Sequence, residues 1–445
     1  MSLRFWKINN VKRDIGHYFK KLSPGRLISL SFASMIVLGS IVLMFPALIN
    51  AGCNVKFIDA LFTSTSAVCV TGLTVLDVAD TWRPVGRAIV ALLIQIGGLG
   101  VSSVGVGFII AARKRVNFKE RLLVKEALNV NNFKGLVKLV KAVLFMTLCF
   151  ETVGMVLSFT VFVQDYPPLK ALGISAFHSI SAFNNAGFDI IGGFNSLTSY
   201  ANNVPLNLIT CLLIIFGGIG FLVILDIINK RSFKRLTLHS KIVIVTTAAL
   251  LIVGTILLWG SNDISLMGAF FYSTSARTAG FATYNIGNFS NAGLLVLMAL
   301  MFIGASPGST GGGIKTTTFF SLLQATKSAA TNAQRAAFKR KIPDIVIIKA
   351  FIVTLFASMF VILGTFLLCI FEKNCTFLQL FFEEVSAFGT VGLSTGITPD
   401  FCSASKIILI ITMFAGRLGP VTIASLWIFK PDANVSYSEE NIAIG

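Results

Sequence analysis

Four short loops of one kind recur along this chain, each running from a Ser-Ala pair to a glycine followed by Leu or Phe. Ser66-Ala67 leads through Val68, Cys69, Val70 and Thr71 to Gly72-Leu73, and Ser181-Ala182 leads through Phe183, Asn184, Asn185 and Ala186 to Gly187-Phe188. Ser386-Ala387 leads through Phe388, Gly389, Thr390 and Val391 to Gly392-Leu393, whereas Ser275-Ala276-Arg277-Thr278-Ala279-Gly280-Phe281 is one residue shorter. The four glycines lie 115, 93 and 112 residues apart. The chain therefore reads as four diverged copies of one unit.

What flanks the loops sets the medium. One apolar run long enough to span a bilayer stands on each side of each loop, and a run of about 20 residues is needed to cross. The first spans are expected near 27–48, 139–163, 242–259 and 345–371, and the second near 86–112, 205–228, 291–323 (interrupted) and 406–429. Between them the segments 57–66, 170–181, 264–275 and 377–386 are too short to cross, which fits re-entrant pore helices. With only 13% charged residues and a mean hydropathy of +0.82, the composition agrees with an integral membrane protein rather than a soluble one. The expected fold is an all-α membrane protein of eight transmembrane helices, four helix–pore helix–helix repeats around a pseudo-fourfold central pore. Its divisions are 1–26, an N-terminal segment; 27–112, 113–229, 230–340 and 341–430, the four repeats; and 431–445, a C-terminal tail. The polar, basic N-terminus does not resemble a cleaved signal peptide.

The net charge of +18 would suggest nucleic acid on a soluble domain, but here it is segregated. Of 37 Lys and Arg, 26 lie before residue 27 or in the segments 113–138, 230–241 and 327–349, all between proposed repeats. Short basic loops stay in the cytoplasm, so both termini and every link between repeats are expected inside the cell membrane, with no nucleic acid as partner. The seven cysteines have no metal-ligand spacing. Cys149, Cys211 and Cys369 read as small core residues, and the outward set Cys53, Cys375 and Cys402 gives no disulfide framework.

Backbone at membrane depth is tolerated only where it is buried in protein or lines water, so the four loops should converge on one aqueous axis. Thr390-Val391-Gly392 matches the opening of the loop that strips the water shell from potassium in potassium channels, where backbone carbonyls replace the hydration shell. Glycine suits such a backbone because it takes φ angles that turn carbonyls toward the axis. These glycines could instead merely cap four helices; their fourfold recurrence before Leu or Phe favours a filter. The candidate ligands of a K+ ion are the carbonyls of Val70, Thr71 and Gly72; Asn185, Ala186 and Gly187; Thr278, Ala279 and Gly280; and Thr390, Val391 and Gly392.

The second spans carry Gly97-Gly98-Leu99-Gly100, Gly217-Gly218-Ile219-Gly220 and Gly416-Arg417-Leu418-Gly419 at matching places. Such glycines commonly mark close helix packing. The third copy reads Gly304, Ala305, Ser306, Pro307, Gly308, Ser309, Thr310, Gly311, Gly312, Gly313, Ile314, Lys315, which cannot remain a continuous helix. Its end nearly spells a phosphate-binding loop, but Ile314 separates Gly313 from Lys315 and the flanks are membrane helix, which argues against nucleotide. Arg417, near mid-span, needs a partner or a wet cavity; Glu151 and the loop carbonyls of the third copy are the candidates. Lys315 either joins this loop or snorkels to the cytoplasm. His178 reads as a satisfied structural histidine and Asp226 as a helix-end acid. No catalytic set or metal cluster emerges, so no enzyme and no cofactor of the chain's own are expected.

These loops, glycine pairs and the broken span together resemble the Trk/Ktr/HKT superfamily of potassium transporters, most closely the bacterial Ktr-type membrane subunit. The resemblance covers residues 27–429 and is most specific at Val70 to Leu73, Ser179 to Phe188, Arg277 to Phe281, Gly311 to Thr316 and Ser386 to Leu393. It implies that Gly72, Gly187, Gly280 and Gly392 form the selectivity filter and that 304–313 with Lys315 is a gating loop near Arg417. It further implies a homodimer with one pore per subunit and a cytoplasmic ring of nucleotide-binding regulatory subunits of RCK type. Cys69 and Pro307 depart from residues common in the family, which puts local selectivity or gating in question. A symporter coupling potassium to sodium or protons would use the same residues, and a non-conducting ion-binding regulator is the more distant alternative.

Overall fold

The structure, a computed structural model, describes residues 24–111, 116–127 and 135–419. Most of the predicted N-terminal segment, the C-terminal tail and the end of the last span lie outside these residues. The first repeat comprises α1 (Pro24–Leu43), α2 (Phe57–Val68), α3 (Pro84–Leu99) and α4 (Val101–Ala111), followed by a linking helix α5 (Phe118–Ala127). The second has α6 (Leu136–Phe162), α7 (Pro168–Phe183), α8 (Val204–Ile219) and α9 (Phe221–Lys230). The third has α10 (Leu238–Ser261), α11 (Leu266–Ser275), α12 (Asn291–Phe302) and α13 (Thr316–Thr331), and the fourth has α14 (Asp344–Phe371), α15 (Phe377–Gly389) and α16 (Ser403–Leu418).

Among the described helices, α1, α6, α10 and α14 are individually long and apolar enough to cross a membrane. At 1.5 Å per residue the 28 residues of α14 reach about 42 Å, while the 12, 16, 10 and 13 residues of α2, α7, α11 and α15 reach roughly 15–24 Å, short of a ~30 Å hydrocarbon core. Exposed Phe351, Met359, Ile362 and Phe366 give α14 an apolar outer face suited to lipid. The first span ends at Leu43 rather than Leu48, because the residue before Pro46 is pushed into extended backbone: Phe45 has φ −62° and ψ 124°.

The second spans differ from continuous helices. Gly100 and Gly220 adopt φ of 83° and 96°, a left-handed setting that cannot continue an α-helix, and the chain bends by 101° and 94° between the halves on either side. The third span stops at Phe302 and resumes at Thr316. Gly419 has φ 85°, at the edge of the described residues. A second departure from the all-α reading is a two-residue hairpin, β1 (Ala336–Ala337) against β2 (Arg340–Lys341), in the link before α14.

Two contacts repeat around the molecule. Each first span carries a glycine against its pore helix: Gly39 at Ser64, Gly154 at Ser179, Gly254 at Ser273 and Gly364 at Glu384, where an added Cβ would come within 2.5 Å of a side-chain oxygen. The three serines donate to the carbonyls of Ile36, Glu151 and Leu251, at 2.7, 2.7 and 2.9 Å, each three residues before its glycine. The fourth repeat substitutes Glu384, which accepts from Thr412 Oγ1 at 2.7 Å. Each second span then packs on the pore helix of the following repeat: α3 on α7, α8 on α11, α12 on α15, and α16 back on α2. The last pairing closes the ring.

That closure includes an ion pair between Lys406 Nζ and Asp59 Oδ1 at 2.8 Å, joining the ends of α16 and α2, both side chains about nine-tenths buried. Removing one member leaves an uncompensated charge, which costs roughly 3–5 kcal/mol, whereas replacing both by apolar groups is near neutral. Asp59→Leu should therefore lower the thermal unfolding temperature of the purified protein markedly, and adding Lys406→Met should restore most of the loss.

Candidate ion pathway

The shared serine sits at the C-terminal end of each pore helix and organises the loop after it. Ser66 O accepts from Thr71 N at 2.8 Å and Ser66 Oγ from Gly72 N at 3.0 Å; Ser386 does the same for Val391 and Gly392, at 2.9 and 3.1 Å. Ser181 O takes Ala186 N at 2.8 Å, and Ser275 O takes Ala279 N and Gly280 N at 2.8 and 3.3 Å. The loop N–H groups are thus turned back onto their own helices. Among the described residues, none of the carbonyls of 70–72, 185–187, 278–280 and 390–392 accepts a hydrogen bond.

The backbone that achieves this is unusual. Val70, Asn185, Thr278 and Thr390 take φ of 51°, 58°, 84° and 49°, and the glycines two residues on take 93°, 68°, 79° and 94°, with no positive φ between them. Alternating hands line the N–H groups along one side of the chain, leaving the carbonyls on the other. A non-glycine residue in this region costs roughly 1–2 kcal/mol, so the helix anchorage has strain to hold.

The four loops meet. A Cβ on Gly72 would lie 2.5 Å from Ala186 O, on Gly187 2.6 Å from Ala279 O, on Gly280 2.2 Å from Val391 O, and on Gly392 2.2 Å from Thr71 O. Each glycine abuts the next repeat's carbonyl, and the fourth returns to the first. The C-termini of four pore helices point at this ring, and their partial negative charges favour a cation there.

On one side of the ring lies a cavity of about 570 Å³, lined by the four glycines and by residues that follow them, including Asp77, Asp189, Tyr284 and Ser394. Asp77 caps a helical turn through Ala79 N and Asp80 N, and its other oxygen accepts from Phe194 N at 2.7 Å. Asp189 accepts from Ile191 N at 3.0 Å. Burial pushes the Asp189 carboxyl up to about 6; the backbone N–H groups beside it pull downward, and the Asp77 charge adds to the rise.

The interrupted third span lies on the other side. Gly311 is so close to Thr278 Oγ1, and Gly312 to Thr390 Oγ1, that a Cβ would sit 2.1 and 2.4 Å away. Gly312 N donates to Thr390 Oγ1 at 3.0 Å, Ser306 N to Gly218 O at 3.0 Å and Thr310 N to Gly217 O at 3.3 Å. Pro307 and Gly308 reach Gly220: Phe221 N donates to Gly308 O at 3.0 Å, and the break at Gly220 makes room, since a Cβ there would meet Pro307 O at 2.7 Å. Gly304, Ala305 and Gly313 pack within the loop's own neck, where Ile303 bridges Ile314 and Thr316 N donates to Ala305 O at 3.3 Å; Ser309 Oγ donates to Ser306 O at 2.6 Å.

Arg417 donates to Thr310 O of this loop and to Gly97 O and Gly98 O of the first repeat. Its partners are carbonyls; Glu151 accepts instead from Asn184 at 3.0 Å and Gln95 at 3.3 Å. Lys315 Nζ does not snorkel but donates to Gly311 O at 2.7 Å and Gly312 O at 3.4 Å. His178 pairs with Thr210 Oγ1 at 3.0 Å between Phe162 and Phe281. Asp226 binds Lys230 at 2.7 Å and caps α10 through Thr237 and Ser240. All seven cysteines are free, and Cys69 is fully buried behind the first loop. The glycine pairs do pack closely: a Cβ on Gly97, Gly217 or Gly416 would fall 2.0, 1.9 or 1.9 Å from a carbonyl of Val68, Phe183 or Phe388.

Sequence reasoning passed over Gln95, Tyr272, Glu383 and Glu384. The adjacent glutamates were visible in an otherwise apolar pore helix, Phe381-Phe382-Glu383-Glu384-Val385. Both are fully buried.

Known proteins resemble this chain along most of its length. The sequence pattern of TrkH, described as "Cation transport protein", matches residues 26–259 and 260–437. The "Ktr system potassium uptake protein D" of Bacillus subtilis is 39% identical, over 98% of this chain and 100% of that protein. The "Potassium/sodium uptake protein NtpJ" of Enterococcus hirae is 38% identical, over 96% of this chain and 98% of that protein. The crystal structure of the potassium transporter TrkH from Vibrio parahaemolyticus superposes with a TM-score of 0.70 at 20% identity, covering 92% of this chain and 86% of that one, which speaks for the fold. With its helical membrane architecture matched across both halves, the chain belongs to the TrkH family of cation transport proteins.

Proposed function

We propose that this protein admits potassium to the cell through a filter made of the four loops, by channel-like flow. The observation that carries this reading is the closed ring of Gly72, Gly187, Gly280 and Gly392 with twelve carbonyls that no hydrogen bond occupies among the described residues. A potassium ion gives up its water only where such oxygens replace it. Entry down a negative-inside potential releases about 2.3 kcal/mol per elementary charge per 100 mV, enough to drive uptake without a chemical step. The names of the relatives from Bacillus subtilis and Enterococcus hirae support potassium, and the latter's name makes sodium the ion to test beside it. Coupling of potassium to sodium in one cycle is the second reading.

In this proposal the chain crosses the membrane eight times with both termini inside, works as a homodimer, and is opened by a cytoplasmic nucleotide-binding ring. The loop 304–313, with Lys315 and Arg417, is the gate. Its support is its position against Thr278 and Thr390 and its polar attachment to the first and second repeats.

Gly72→Ser should reduce the preference for potassium over sodium, because the residue needs φ 93° and its Cβ would strike Ala186 O. Competition between the two ions for uptake measures it, and an unchanged preference would show that this ring does not select. For the gate, shortening the segment between Ser306 and Gly312 should raise flux in the absence of any regulatory partner. Arg417→Gln should act in the same direction by about tenfold, since charge-assisted hydrogen bonds contribute roughly 1.5–3 kcal/mol each. Flux into vesicles checks both, and no rise from the shortened protein would place the gate elsewhere.

External pH offers a further check. Asp189 carries its charge above about pH 6 and loses it below. Uptake at subsaturating potassium should fall about threefold between pH 7 and 5, the effect of one charge acting through a high dielectric. Asp189→Asn should start at the acid value and remain flat.

A further inference from the structure

Three residues before the shared serine, the four pore helices carry Thr63, His178, Tyr272 and Glu383. All four are buried. In the first two repeats this position makes no hydrogen bond to the segment leaving its own loop: Thr63 Oγ1 donates to Asp59 O of its own helix at 2.9 Å, and His178 pairs with Thr210 while its ring packs on Phe281. In the other two it grips the strand that leaves the filter. Tyr272 Oη donates to Tyr284 O at 2.5 Å and accepts from Tyr284 N at 3.0 Å, so one hydroxyl uses both of its roles on one residue's backbone. Glu383 accepts four hydrogen bonds from the strand after Gly392: Ser394 Oγ at 2.7 Å, Thr395 N at 2.8 Å, Thr395 Oγ1 at 3.2 Å and Thr398 Oγ1 at 2.7 Å.

We infer that Tyr272 and Glu383 are positioning residues for ion selection, holding Gly280 and Gly392 from the outgoing side. The inference rests on the filter reading above and adds to it which groups keep the carbonyls in place. Residues three apart on a helix share a face. Ser275 and Tyr272 therefore bracket the Gly280 segment from one helix, as Ser386 and Glu383 bracket the Gly392 segment. Without the outer bracket, the left-handed residues Thr278 and Thr390 have a route to relax, and the carbonyls move with them.

The first two repeats are tied otherwise. Their outgoing strands are joined to each other near the surface, through Phe194 N to Asp77 and Gly193 N to Asp80 at 3.0 Å, and onward through Leu197 N to Ala282 O at 2.9 Å. The mouth of the ring is thus anchored to pore helices on the side of repeats three and four, and the strands of repeats one and two are chained to that anchored side.

The test is the potassium-to-sodium permeability ratio from reversal potentials in vesicles, a quantity independent of how much protein is present. Tyr272→Phe, Glu383→Gln and Thr398→Val are measured beside Gly392→Ser. Loss of the tether should lower the ratio about tenfold in Tyr272→Phe, the scale of one lost hydrogen bond, and further in Tyr272→Phe combined with Thr398→Val. Should Glu383→Gln fail to reach the membrane, Thr398→Val removes a donor from the strand side and leaves the carboxylate in place. If Gly392→Ser changes the ratio while Tyr272→Phe and Thr398→Val keep the parent's, the filter stands and the tether is refuted. If Gly392→Ser also leaves it unchanged, the filter reading falls and the tether with it.

Discussion

Everything in this molecule leans on backbone meeting backbone at four glycines. The approach of each to the carbonyl before the next glycine leaves no room for a Cβ, so each segment stops against the following one and the fourth stops against the first. A contact of this kind has little attraction of its own. It is maintained because N–H groups of each loop are bound by the C-terminal serine of a short helix, while the carbonyls of 70–72, 185–187, 278–280 and 390–392 accept no hydrogen bond among the described residues. The glycines Gly39, Gly154, Gly254 and Gly364 in turn let those short helices seat against the long spans.

The symmetry of the ring is broken on both faces, by different means. On the side opposite the cavity the third second-span is opened into a loop whose polar backbone is satisfied by Gly217 and Gly218 of the second repeat, Thr390 of the fourth, and Arg417. Buried backbone without partners would be costly, so the neighbours had to change with it. Gly220 bends its helix away to admit Pro307, and Arg417 links the loop to Gly97 and Gly98, placing three repeats and the loop in one hydrogen-bonded assembly. On the cavity side, the position three before the shared serine hydrogen-bonds the segment leaving the loop in two repeats and not in the others.

Much of this was legible from residues alone because the repeat is spelled in backbone requirements. Glycine at 72, 187, 280 and 392 marks where φ must be positive, and the serine six residues earlier, five in the short third copy, marks where the N–H groups go. Less legible was the break at Gly100 and Gly220. A glycine close after a Gly-Gly pair reads equally as packing or as a stop, and both prove true three residues apart: Gly97 and Gly217 pack, Gly100 and Gly220 end their helices. The partner of Arg417 was also open, since Glu151 has the right charge and a plausible depth. Its carboxylate is held by Asn184 and Gln95, residues 33 and 56 positions away in the chain.

By itself the sequence determined the membrane setting, the recurrence of the Ser-to-Gly loops, and the break of the third second-span, because apolar length, glycine and proline act locally on the chain. Only the tertiary structure decided which carbonyls Arg417 binds, where the opened span lies relative to the ring, and which pore-helix side chains reach across to the outgoing strand. Those outcomes depend on how four units of unequal sequence fit around one axis. Tyr272 and Glu383 hold the segments that follow their own loops, whereas Thr63 bonds within its helix and His178 bonds Thr210; each loop must fold back on its helix before such partners come within reach, which no local pattern encodes.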